Sequence, residues 1–186
     1  MGTKRVGLAR IEALIENLKR ELKLGADAKI VGGAYHTAVA DVQHNNTTDA
    51  AAVGSATISA GVLSAGDCIY VKARGRCIST NSTDTLTPTL KIGSTTIQAG
   101  AALNVDNNDI VDVEAFIQIR TVGSSGTFVA IGEISSDALG ATKLPFTKTS
   151  TVIDTTAALT VTLEMDWSVA NASNQYTQDF YMVKID

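Results

Sequence analysis

From residue 51 onward, apolar and polar residues alternate in short runs, which is the period of a strand whose two faces meet different surroundings. The clearest run is Leu159-Thr160-Val161-Thr162-Leu163-Glu164-Met165-Asp166-Trp167-Ser168-Val169, where odd positions are apolar and even ones polar. Trp167 therefore falls on the core side by parity. In the stretch from Ile69 to Cys77, Ile69, Val71, Ala73 and Cys77 face one way, and Tyr70, Lys72, Arg74 and Arg76 face the other. From Asp109 to Val122, residues Val111, Val113, Ala115, Ile117 and Ile119 point inward against Asp112, Glu114, Gln118 and Arg120. Half-buried strands of this kind belong to antiparallel sheets. Further strands are expected at 52–58, 86–92, 95–98, 127–134, 146–153 and 176–185, with Pro88 implying an edge position for its strand. Turn-forming clusters separate them, at 64–67, 81–84, 106–109, 123–126 and 171–174. Strands without intervening helices predict a mainly β protein, a two-sheet antiparallel sandwich. A jelly roll is the first choice of topology and an immunoglobulin-like order the second.

The period changes at the start of the chain. Leu8, Ile11, Ile15, Leu18 and Leu22 recur at alternating spacings of three and four, which predicts an amphipathic α-helix over residues 8–24 with the apolar seam of a coiled coil. Glu16 precedes Lys19 and Arg20 by one turn, so the outer face carries weak ion pairs. A helix this short is marginal in water without a partner surface. It either docks on its own β-body or serves as an anchor and oligomerisation handle, and these five seam residues are the candidate contacts. The chain thus divides into a helix at 1–24, a linker at 25–50 with short extended pieces, and a β-sandwich domain at 51–186.

Composition narrows the function. The chain has 186 residues, a formal net charge of −4 and only 5 % aromatic residues. That charge balance lacks the clustered Lys and Arg that release counterions from a phosphate backbone, so nucleic acid is not an expected partner. No run of about eighteen apolar residues is present, which argues against a membrane-spanning helix. The basic opening Met1-Gly2-Thr3-Lys4-Arg5 leads into a segment broken by Arg10, Glu12 and Glu16 instead of an apolar core, so a secretory signal is not expected and synthesis in the cytosol is. Cys68 and Cys77 lie nine residues apart in one strand, on opposite faces and roughly 30 Å apart at about 3.3 Å per residue. They read as two small hydrophobes rather than a disulfide or a metal pair.

No catalytic constellation emerges. The two histidines, His36 and His44, both fall in the polar linker, where a general base would lack rigid support, and they read as solvated. The cluster Asn104, Asp106, Asn108 and Asp109 resembles a calcium loop superficially, but Ala115 stands where the closing acid is required, so a turn is expected. Gly123-Ser124-Ser125-Gly126 joins two strands and leads into no helix, so it reads as a hairpin loop rather than a phosphate cradle. Glu114, Glu133, Glu164 and Asp166 all face outward and could supply a carboxylate pair, but few aromatics are available to furnish a carbohydrate cleft. Tyr70, Tyr176, Tyr181 and Phe128 are either surface contacts or interface and sheet residues. Lys72, Arg74 and Arg76 form a basic stripe, either a solvated face or a seam of ion pairs with an acidic neighbour. No enzyme activity, cofactor or metal is expected.

The opening Lys4–Arg10 with its continuation Leu14–Leu22, and the body segments Leu63–Asp67, Thr80–Leu86 and Arg120–Thr127, together resemble virion structural proteins of tailed bacteriophages of the marine type. The resemblance implies a jelly-roll-like module, frequently trimeric, with no catalytic residues to carry over. Internal repeats of the sort that build a long fibre shaft are lacking. The expected function is a capsid decoration or cement protein on the head surface, made in the host cytoplasm. Its expected partners are copies of itself, as a homotrimer, and the major capsid protein or other virion proteins. The alternative is a tail- or vertex-associated adhesin binding host glycan, with a polysaccharide-degrading enzyme third.

Overall fold

The computed structural model describes residues 10, 11, 13, 14, 17, 34–37, 40–79, 83–140 and 142–186. Among the described residues eleven strands occur in chain order: β1 (Ala34–Thr37), β2 (Val42–Asn45), β3 (Ala51–Ile58), β4 (Cys68–Ser79), β5 (Leu86–Ile92), β6 (Thr95–Ala99), β7 (Ile110–Thr121), β8 (Gly126–Ser136), β9 (Lys143–Ile153), β10 (Leu159–Trp167) and β11 (Gln175–Ile185). A 3-10 turn at Asp137–Leu139 links β8 to β9. Nine of the eleven strands are those the alternation predicts.

The strands form two antiparallel sheets. The larger, of seven strands, runs β1-β11-β4-β7-β8-β9, with β2 also pairing β11; the smaller runs β3-β10-β5-β6. The pairs nest: β2 with β11, β3 with β10, β4 with β7 and β5 with β6, while β8 and β9 extend the larger sheet beyond β7. Alternation produces the layers. In β10, Leu159, Val161, Leu163, Met165 and Trp167 are buried and the residues between them half-buried. Inward residues of β4, β7 and β8 join them in one hydrophobic core. Trp167 is 1 % exposed and its Nε1–H donates to the His44 carbonyl at 3.4 Å. Tyr181 is equally buried, and its hydroxyl donates to the Val161 carbonyl of the opposite sheet at 2.9 Å. A side chain on Gly54 would meet the Tyr181 ring at 2.3 Å, so the bare backbone of β3 admits that ring.

Several expectations need correction. The short extended pieces expected within 25–50 include two strands that run along β11, so residues 34–37 and 42–45 belong to the larger sheet rather than to a free linker. His44 consequently is not a solvated linker residue but a buried one, 3 % exposed. Pro88 does not mark an edge, because β5 lies between β10 and β6. Its ring is tolerated where the β6 ladder ends: the Pro88 carbonyl accepts from Gly100 N–H, and a side chain on Gly100 would meet the Pro88 ring at 2.9 Å. The strand expected at 159–169 also shortens. β10 stops at Trp167, since the Ser168 hydroxyl and N–H bond Thr85 and the Asn174 amide donates to the Val169 carbonyl, leaving Val169 exposed.

Of the predicted helix over 8–24, residues 10, 11, 13, 14 and 17 are described and carry helical backbone, which does not make the helix an observed element. Leu8, Ile15, Leu18 and Leu22 lie outside the described residues.

Candidate functional site

The outward face of the larger sheet concentrates the exposed chemistry. Register across β11, β4, β7, β8 and β9 sets side chains in transverse rows. One row reads Lys184, Tyr70, Phe116, Ile131, Thr147, and the next Met182, Lys72, Glu114, Glu133, Pro145. A third reads Phe180, Arg74, Asp112, Ser135, Lys143. An aromatic and aliphatic row therefore lies directly beside a charged one.

The charged row is internally paired. Lys72 Nζ lies 3.0 Å from Glu114 Oε2 and 3.6 Å from Asp112 Oδ1, while Arg74 reaches Asp112 Oδ2 at 3.4 Å. Arg76 pairs Asp179 at 3.1 Å, and Lys143 pairs Glu133. Of the two readings for Lys72, Arg74 and Arg76, the ion-pair seam is the one present. Glu114 and Glu133 are direct cross-strand neighbours, an arrangement of like charges that each lysine offsets from its own side. The Lys72 hydrogen bond is the chief cause holding Glu114 below its usual carboxylate value, helped by the Tyr70 hydroxyl, which donates to Oε1 at 3.0 Å. Burial first, and Glu114 second, push the Tyr70 phenol up.

Tyr70 and Phe116 make a tilted ring pair with centroids 5.0 Å apart. Phe116 is 45 % exposed and Ile131 58 %. Beside them opens a depression of about 360 Å³, with Phe116, Ile131, Pro145 and Phe146 as its apolar lining and Glu114 and Glu133 as its acids. Gly132 is also part of its lining. A side chain there would meet the Phe146 ring at 2.4 Å and the Glu114 carbonyl at 2.2 Å, so glycine lets β8 and β9 close over the core.

Other sequence candidates scatter. Tyr176, Tyr181 and Phe128 are fully buried core residues rather than surface contacts. Glu164 lies on the opposite, smaller sheet and pairs Lys91 at 2.6 Å. Asp106 to Asp109 is a turn, closed by Asp106 N–H donating to Asp109 Oδ2 at 2.8 Å, and 123–126 is a hairpin loop between β7 and β8. Cys77 is a buried free thiol, pushed up to about 12 by burial and by Asp109. Phe116 and Ile131 were not among the sequence candidates. Their signal was a large apolar residue at an outward position, next to Glu114 and Gln118 in one strand and Glu133 in the other.

His44 forms a separate feature. Its Nε2 and the Asp166 Oδ1 are both buried without a hydrogen-bond partner. Burial lowers the His44 pKa from 6.5, partly opposed by the Asp166 charge. A histidine held neutral by the fold binds its proton more readily when unfolded, so its contribution is present above about pH 6.5 and lost as pH falls. Urea unfolding should therefore give lower stability at pH 5.5 than at pH 7.5, and His44→Gln should flatten that difference. An unchanged slope in the variant would contradict this origin.

No protein-family model matches the chain, and no curated protein matches it. Among solved structures it is similar to the C-terminal domain of EclA, a sugar-binding protein, at 12 % identity over 88 % of this chain and 86 % of that one, with a TM-score of 0.39. It is also similar to a family 18 polysaccharide lyase at 8 % identity, over 86 % and 91 % of the two chains, with a TM-score of 0.32. At these scores neither resemblance bears on ligand or activity.

Proposed function

We propose that this chain is a non-enzymatic virion structural protein, a capsid decoration protein that acts as a homotrimer on the outside of a tailed-phage head. The observation that carries the interaction role is the exposure of the apolar residues described in the expected helix. The core runs from Val53 to Ile185, whereas Ile11 and Leu14, the described large apolar residues of the expected helix, are 42 % and 59 % exposed. Ile11, the described member of the expected seam, is available to other copies or to the capsid. The nested pairing of β2 to β7 with β10 and β11 supports the jelly-roll order within the sandwich. Each of Glu114, Glu133 and Glu164 is engaged by a lysine, which suits a docking surface better than acid–base chemistry. The virion setting rests on the sequence resemblance.

A protein that binds only the assembled shell stabilises that state by mass action. Particles lacking it should assemble but release DNA at a lower temperature than complete particles, with hundreds of copies per complete particle by quantitative mass spectrometry. Equal heat resistance together with loss of host adsorption would overturn decoration in favour of the adhesin.

A further inference from the structure

We propose that the depression on the outward face of the larger sheet is a binding site for a neutral pyranose sugar, seated on Phe116 and held by Glu114 and Glu133. The inference goes beyond the decoration role and stands independently of it. The depression, at about 360 Å³, falls within the range of small-ligand sites. Its lining excludes other ligand classes in turn. An anion would meet two carboxylates. A cation would find both already matched, Glu114 by Lys72 and Glu133 by Lys143. A purely apolar ligand would desolvate those acids without returning hydrogen bonds. What remains is an uncharged molecule with one apolar face and several hydroxyls, which describes a pyranose ring.

The groups are also oriented in advance. Tyr70 flanks the Phe116 ring at 5.0 Å and donates its hydroxyl to Glu114, so the ring and the carboxylate are braced by the same side chain. Lys72 fixes the other Glu114 oxygen. A carboxylate oxygen that already holds one donor accepts a second from a sugar hydroxyl, while the C–H face of the sugar lies over Phe116 and Ile131. Gly132 and Thr147 complete the lining. Affinity at such an open site is set by few contacts, and millimolar binding is the expected scale.

The test is an amide chemical-shift titration of the full chain with methyl glycosides of glucose, galactose, mannose and N-acetylglucosamine, and with glucuronate and methylguanidinium as charged comparators. At least one neutral glycoside should shift the amides of Phe116, Gly132 and Thr147 with saturation. Phe116→Ala should weaken that binding about tenfold, the loss of one ring contact, and Glu133→Gln by a smaller factor, with thermal unfolding confirming that both variants are folded. Three results overturn the proposal: no neutral glycoside shifts these amides up to tens of millimolar, the shifts persist in Phe116→Ala, or methylguanidinium binds in preference. Sedimentation of the same samples reports on self-association separately, so a chain that associates but ignores every glycoside overturns this inference alone.

Discussion

Trp167→Ala is expected to destabilise the protein by about 3 to 5 kcal/mol, the usual cost of emptying a buried aromatic site. The side chain is 1 % exposed, lies at the end of β10 in the smaller sheet and joins the core that both sheets share. Its indole N–H also reaches the His44 carbonyl on β2 in the larger sheet, so truncation removes a polar contact between the sheets as well as volume. For a chain of this length such a loss lowers the thermal midpoint by roughly 10 °C or more. Trp167→Phe, which keeps a ring but loses the indole donor, should fall between the wild type and the alanine variant. A midpoint for Trp167→Ala close to wild type would mean that the site is solvated.

Trp167 was legible because an unbroken two-residue period needs only the backbone pleat to assign a face, and the same period located β3 to β11. What the sequence concealed depended on distant partners. The pieces at 34–37 and 42–45 were expected to be extended but are too short to show a face; β11 recruits them, and that recruitment buries His44. Pro88 misled because an edge is only one place where a missing N–H is harmless. The end of a neighbouring strand is another, and Gly100, twelve residues later, is what makes room there. The candidate site was half visible. Outward placement of Lys72, Glu114 and Glu133 followed from parity, but which lysine meets which acid depends on the order β4-β7-β8-β9, and no local pattern encodes that order. Phe116 and Ile131 are large apolar residues at outward positions of their own strands, and only register places them side by side.

Removing residues 1–24 is expected to leave the thermal midpoint of the β-body nearly unchanged while abolishing self-association and attachment to particles. The stability half of this expectation follows from the core, which among the described residues draws on 53–185, and from a sheet whose first described strand starts at Ala34. The association half follows from the seam of Leu8, Ile11, Ile15, Leu18 and Leu22, whose described member Ile11 is exposed. A charge placed on that seam should act in the same direction: Ile11→Asp in the full chain would bury an unpaired carboxylate between copies, costing about 3 kcal/mol, or roughly a hundredfold in the association constant. Sedimentation equilibrium and thermal unfolding of the three proteins separate the possibilities. A large fall in midpoint on truncation would mean that the helix docks on its own sheet. Unchanged association in both variants would place the contact between copies on the β-body, and the outward face bearing Phe116 and Ile131 would then be the surface to test next.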